Sequence, residues 1–118
     1  MSKTTQLQQR KAELLTMSTP PRAREAAKQL GVSEAQYVAL SCGDADAANI
    51  MLKRDGFVAI LQALHQAGEV MALTRNDVVV MEHHGVYRNL VVKHNHVMFI
   101  EPDMDLRLKV TAWQYGFA

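Results

Sequence analysis

The chemistry-bearing residues of this 118-residue chain gather in its second half, where Asp105, Arg107 and Lys109 form the most regular set. They alternate with Leu106, Leu108 and Val110. This is the period of two of a β-strand, and it sends the three apolar residues to a packed face and the charged ones to an open face. A guanidinium on an open sheet can anchor a carboxylate through charge-assisted hydrogen bonds. The same arginine can equally pair with Asp105 or Glu101 of its own chain. His83 and His84 are neighbours just before Gly85; adjacent strand residues face opposite sides, so at most one of them can meet a given ligand. His94 and His96 flank Asn95 in turn-like sequence, where exposed histidines are ordinary; together with His83 and His84 they could bind zinc or copper adventitiously, with no third ligand at a fixed spacing. Cys42 is the single cysteine, so no intramolecular disulfide can form, and it reads as a small buried hydrophobe rather than a nucleophile. The chain contains no G-x-S-x-G, no H-E-x-x-H and no glycine-rich phosphate loop, so hydrolytic and nucleotide chemistry find no support.

The elements that must position these groups fall into two halves. From Gly68, Val70, Ala72 and Thr74 alternate with Met71, Leu73 and Arg75; Asn76-Asp77 supplies a turn, and Val78-Val79-Val80 restarts an extended run that Gly85 breaks. Further extended runs are expected at 86–93, 97–101, 106–110 and 114–118. Turns at His94-Asn95-His96 and Pro102-Asp103 join them, too short for anything but antiparallel neighbours. Trp113, Tyr115 and Phe117 alternate on one face of the last run, as core packing, a repeat interface or a wall of a ligand cleft. A strand ending in aromatic and small residues suggests an incomplete domain whose exposed C-terminal edge would self-associate.

Residues 1–67 read as mainly helical. Leu7, Lys11, Leu14 and Leu15 give a thin apolar stripe over residues 4–17. Thr19 is expected to cap a second helix with Pro20 at its first position; Ala23, Ala26, Ala27 and Leu30 form its buried face, and Gly31 stops it. Ser33 to Gln36 forms a capping box for a third helix to about Leu40. After a loop at 41–49 and a short extended piece at 50–52, Asp55 is expected to cap a helix burying Phe57, Ile60, Leu61 and Leu64. His65 lies in its last turn and reads as structural or solvated. Arg24–Leu40 also has the look of a helix-turn-helix, but residues 34–39 contain no Arg or Lys for phosphate or base contact. A net charge of +1 gives no global field toward nucleic acid or anionic membranes. The first twenty residues are polar, without the apolar region of a signal peptide, and no run approaches a membrane span of about 20 residues. A reducing, cytoplasmic setting is the default, and an apolar fraction of 48% can support a core.

Arg22–Ala27, Leu30–Glu34, Gly68–Asp77 (GEVMALTRND), Gly85–Leu90 (GVYRNL) and Asp103–Leu108 (DMDLRL), with Trp113 and Phe117, resemble in order and spacing the HemS/ChuS-type haemin-degrading or haemin-transport family of Gram-negative bacteria. The resemblance implies an α+β fold, with N-terminal helices packed on an antiparallel β-meander, and one incomplete repeat of a unit that family members carry in tandem. It implies a single domain over 1–118, helical over 1–67 and sheet over 68–118. The ligand or substrate it implies is b-type haem. By this resemblance the iron-ligating histidine lies beyond the first repeat and has no counterpart here. Arg107 corresponds to the arginine of the family's Asp-Leu-Arg motif, which approaches the other side of the haem and could polarise an iron-bound oxygen ligand. Met81 stands where relatives can carry histidine, and Lys109 where many carry an apolar or aromatic residue. Arg107, Lys109, His84 and Met81 are therefore the candidate haem contacts, and the His83-His84 pair reads either as solvated polar residues or as the source of one substitute iron ligand. The expected function is cytoplasmic haem binding, trafficking or degradation in bacterial iron acquisition, with a haem importer or a haem-receiving protein as partner. A second copy or second repeat is also expected, and neither nucleic acid nor membrane. The alternatives are an interaction fragment that dimerises through an open sheet edge and a helix-turn-helix regulator.

Overall fold

In a computed structural model describing residues 2–43, 49–102 and 104–118, helices and antiparallel sheets make an α+β protein. The expected loop at 41–49 and the Pro102-Asp103 turn lie partly outside the described residues. The chain divides into two compact units, Met1–Leu52 with Tyr115–Ala118, and Lys53–Gln114.

The first unit holds α1 (Lys3–Leu15), α2 (Ala23–Leu30) and α3 (Glu34–Ala39). Ser2 caps α1 by accepting from the Thr5 N–H. The expected Thr19 cap with Pro20 inside the helix is corrected: α2 starts at Ala23, and Arg22 before it is extended at φ −63° and ψ 155°. The second proline explains this, because Pro21 drives Pro20 out of the helical region. Gly31 ends α2 at φ 71°, and the Val32 N–H returns to the Ala27 carbonyl at 3.0 Å. The Ser33–Gln36 capping box is closed in both directions. Ala26, Ala27, Leu30 and Tyr37 form the core, flanked by Leu7, Leu14, Ala23 and Val32, while Leu15 stays exposed. Phe117 bridges Met51, with the Ile50 and Leu52 N–H groups bonded to the Ala118 and Gly116 carbonyls.

Lys11 is buried in this unit at 8% exposure. Its Nζ donates to the Tyr37 carbonyl at 2.8 Å and sits 4.1 Å from the centroid of the Tyr37 ring. Burial pulls its pKa below the ordinary lysine value, and Cys42 acts in the opposite direction. The folded form thus holds this proton less tightly than the unfolded chain. The penalty is full below the folded pKa and disappears as pH rises through the unfolded one, so this group adds stability toward alkaline pH. Lys11→Ala is expected to cost about 1–3 kcal/mol through the lost stem packing and hydrogen bond. Lys11→Met, which keeps the stem, should remove the alkaline gain; melts from pH 7 to 10.5 test both.

The second unit begins with a 3₁₀ turn at Arg54–Gly56 and α4 (Phe57–Ala63), continued by a 3₁₀ turn to Ala67. Asp55 lies inside the first turn and Gly56 precedes α4 without a side-chain cap bond, which corrects the expected Asp55 cap. Ile60 is exposed at the position expected to be buried. Phe57 and Leu61 are buried, and Val58 and Leu64 pack on the core. Strands β1 (Val70–Arg75) and β2 (Val80–Gly85) form one antiparallel sheet; β3 (Leu90–Lys93), β4 (His96–Glu101) and β5 (Met104–Lys109) form another, in that order. The expected single meander is therefore two sheets. Its break coincides with a contact between segments distant in sequence: Tyr87 is buried, and the Arg88 and Asn89 N–H groups are both taken by the Glu101 carboxylate at 3.1 Å, with Asn89 Nδ2 on its other oxygen. Glu101→Ala is expected to destabilise this unit by about 1–2 kcal/mol, and Glu101→Gln by less, in denaturant unfolding. Leu61, Tyr87, Val97 and Phe99 are the buried core, on which Leu90, Leu106, Leu108 and Val110 pack. Past β5 the expected extended run at 114–118 is reduced to an antiparallel bridge of Phe117 with Met51. Val110–Ala112 is a 3₁₀ turn, Trp113 stacks on Phe57 at 4.4 Å, and Phe117 pairs with Met51, so the three aromatics share no strand face. The backbone of residues 116–118 is thus paired along one edge with residues 50–52.

Candidate functional site

Register across β3, β4 and β5 builds the open face. His96 lies between Lys93 and Lys109, and Met98 between Val91 and Arg107; directly opposite residues share a face, so these form two adjacent rows. The alternation expected for residues 105–110 holds: Leu106, Leu108 and Val110 are half-buried on the core, whereas Asp105, Arg107 and Lys109 are exposed. Lys93, His94, His96, Met98, Arg107 and Lys109 line a shallow, solvent-open depression of about 570 Å³. His94 holds a left-handed backbone at φ 54°, which turns the chain from β3 into β4 and delivers Lys93 opposite His96. Lys93, Met98 and His96 were not singled out with Arg107 from sequence. The signal was the short Lys93–His96 turn, whose register places all three on the arginine's face.

Asp105 grips Arg107 with both oxygens, Nε to Oδ1 at 3.0 Å and Nη2 to Oδ2 at 3.1 Å. The guanidinium holds the Asp105 carboxyl below the usual carboxylate range, and the carboxylate raises Arg107 in turn. The Asp105 pairing anticipated for an exposed strand arginine is present, while Glu101 is engaged with Arg88 and Asn89. Both side chains are exposed. Their pairing orients the guanidinium and leaves it accessible to a second anion. Lys93 and Lys109 add two further cations, and Asp105 is the only acid on these two rows and the next position of β5 among the described residues. The chemistry this face can perform is recognition of a multiply anionic, partly apolar ligand, with Val91 and Met98 as its apolar floor.

The other candidates lie on β2, where Met81 and His83 share one face and Glu82 and His84 the other. His83 stacks on Tyr87 at 5.9 Å, and both line a recess of about 210 Å³ with Ala72, Thr74, Met81 and Leu106. The Tyr87 hydroxyl donates to the His83 carbonyl at 3.2 Å, and burial pushes its pKa up. His84 points away from this recess and lies 3.8 Å from Glu82. Met81 and His84 therefore cannot serve one ligand from one side. His65 is exposed on the end of α4, with Nδ1 2.9 Å from the Gln62 carbonyl. No cluster of three or more His, Cys, Asp or Glu side chains with metal-binding geometry occurs among the described residues.

The model of the haemin-degrading HemS.ChuX domain matches residues 31–118. The hemin transport protein HmuS of Yersinia pestis is 34% identical over 96 residues, 80% of this chain and 27% of that protein. The hemin transport protein HemS of Yersinia enterocolitica is 38% identical over the same shares. Apo-PhuS, a heme-binding protein from Pseudomonas aeruginosa, superposes with a TM-score of 0.82 and 34% identity over 97% of this chain and 33% of its own. The heme-degrading enzyme ChuS of Escherichia coli O157:H7 shares the fold at a TM-score of 0.80 and 24% identity. The chain spans about a quarter of the length of these curated relatives.

Proposed function

The chain belongs to the family of the haemin-degrading HemS.ChuX domain, and from that membership we propose that it binds haem on the open face of β3, β4 and β5. The observation that carries this reading is the placement of Arg107 beside Lys109 and Lys93 on one strand face, over an apolar floor of Val91 and Met98. Haem is a flat apolar macrocycle with two carboxylates, and that face offers flat apolar area ringed by cations. Arg107 and Lys109 bind and orient carboxylate or other anionic groups. When bound, b-type haem supplies iron redox chemistry. The iron-ligand candidates of β2 divide between its two faces, Met81 and His83 on one and His84 on the other, so only one face could supply an iron ligand.

The biological role is cytoplasmic haem trafficking, or support of haem breakdown, in bacterial iron utilisation, with a haem importer or haem-receiving protein as partner and residues 1–118 acting as one family domain. Support comes from the hemin transport relatives and the heme-binding PhuS likeness. No described helix is long and apolar enough to cross a membrane. The test is a haemin titration of the chain followed at the Soret band. A saturable one-to-one band, weakened by Lys93→Ala with Lys109→Ala and less salt-dependent in that variant, is the expected result. A broad, unsaturable signal that ignores both substitutions would overturn the proposal.

A further inference from the structure

The depression beside Arg107 holds iron-donor side chains of its own. His94, His96 and Met98 line it with Lys93, Arg107 and Lys109. The β2 candidates stand elsewhere: Met81 and His83 line the smaller recess beside Tyr87, and His84 faces away from it. Three of the five histidines have a local partner. His65 has the Gln62 carbonyl at 2.9 Å, His83 the Tyr87 ring and His84 the Glu82 carboxylate at 3.8 Å. No hydrogen-bond, ion-pair or ring partner falls to the His94 or His96 side chain among the described residues. Register separates these two. His96 opens β4, directly opposite Lys93 on one side and Lys109 on the other, so its ring stands on the open face between two ammonium groups. His94 lies in the turn at φ 54°, outside the ladder that fixes a side chain to that face.

We propose that His96 ligates the iron of haem bound on this face, with Arg107 at the edge of the macrocycle. This assignment rests on the proposed haem site and adds its iron ligand. It differs from what the family resemblance implies, which places the ligating histidine beyond this stretch of chain. Donor chemistry selects His96 over Met98: an imidazole suits ferric iron, whereas a thioether is a softer donor, and Met98 is half-buried in the floor. Geometry supplies the rest. Arg107 lies opposite Met98, a diagonal step of about 7–8 Å from His96 on the same face. Imidazole and guanidinium therefore approach the macrocycle from one side, the first beneath its centre and the second beneath its rim, where the haem carboxylates lie. Lys93 and Lys109 flank His96 at roughly 5 Å each, and their row contains no carboxylate that would compete for its ring nitrogens. Asp105, the acid nearest along β5, is occupied by Arg107.

The test loads the untagged chain with ferric haemin and compares it with His96→Ala and His94→Ala. Both positions are exposed, so neither variant should change the circular dichroism spectrum. His96→Ala should move the Soret maximum, remove the imidazole-nitrogen coupling from the electron paramagnetic resonance spectrum, and weaken haemin binding about tenfold or more. Free imidazole should restore the parent spectrum to that variant. His94→Ala should do none of these things. A saturable Soret band and a nitrogen coupling that His96→Ala leaves in place would overturn the ligation and leave the haem site on β3, β4 and β5 standing. So would loss of the coupling in His94→Ala with His96→Ala unaffected. The absence of any saturable band in the parent chain would overturn both the ligation and the haem site.

Discussion

Phe57→Ala is expected to remove about 3–5 kcal/mol from the stability of the 53–114 unit. The side chain is 1% exposed and stacks on Trp113 with ring centroids 4.4 Å apart and planes 18° from parallel. It opens α4, the element that also places Leu61 in the core with Tyr87, Val97 and Phe99. Truncation leaves a cavity the size of a ring beneath an indole that loses its partner, so transfer and stacking terms fall together. Against a typical stability of about 5–15 kcal/mol the variant would be near its unfolding threshold at 37 °C. Trp113 is the single tryptophan, so its fluorescence reports the unit directly during urea unfolding. Phe57→Leu, which keeps apolar volume, should recover more than half of the loss; a Phe57→Ala midpoint within a few tenths molar of the parent would show that the stack is incidental.

Arg107→Ala is expected to weaken haemin binding on the order of tenfold, the scale of one charge-assisted anion contact. Arg107→Lys should recover only part of it, because a point charge cannot reproduce a planar fork. The grip of Asp105 on the guanidinium gives a second arm. Asp105→Asn releases donors now shared with the carboxylate and should tighten haemin binding by about two- to fivefold. The pH dependence follows in sign. Asp105 is held below the usual carboxylate range when folded, so the pair is intact above that range and is lost as pH falls through the lowered value. Both side chains are exposed, so salt rather than pH is the sensitive variable near neutrality. Isothermal titration of the three variants checks the order; an unchanged Kd for Arg107→Ala would remove Arg107 from the site.

Local rules were legible wherever one residue's backbone chemistry decides the outcome. Gly31 stops α2 in the left-handed region, Ser33 and Gln36 close their box, and alternation from Asp105 to Val110 sorts charge from core. The family likeness was legible too, because it rests on the order and spacing of short motifs. The misreadings have identifiable physical causes. The Thr19-Pro20 start failed because two consecutive prolines act on each other's backbone. Asp55 was displaced from capping by a 3₁₀ turn that begins one residue earlier. The continuous meander failed because Glu101 takes the N–H groups of Arg88 and Asn89, an interaction spanning twelve or more residues that no local pattern announces.

By itself the sequence determined the α+β class, the antiparallel order of strands joined by short turns, and the side of the strand on which Arg107 stands. These follow from periodicity and turn length, which are properties of the chain's local geometry. Only the tertiary structure decided that Lys93 and His96 join Lys109 in one row, that His83 rather than His84 enters the recess beside Tyr87, and that the last residues pair with Ile50–Leu52. Each depends on register or pairing between segments distant in sequence. A one-residue slip would exchange the faces of every side chain on a strand, so those facts exist only once the strands have been brought together.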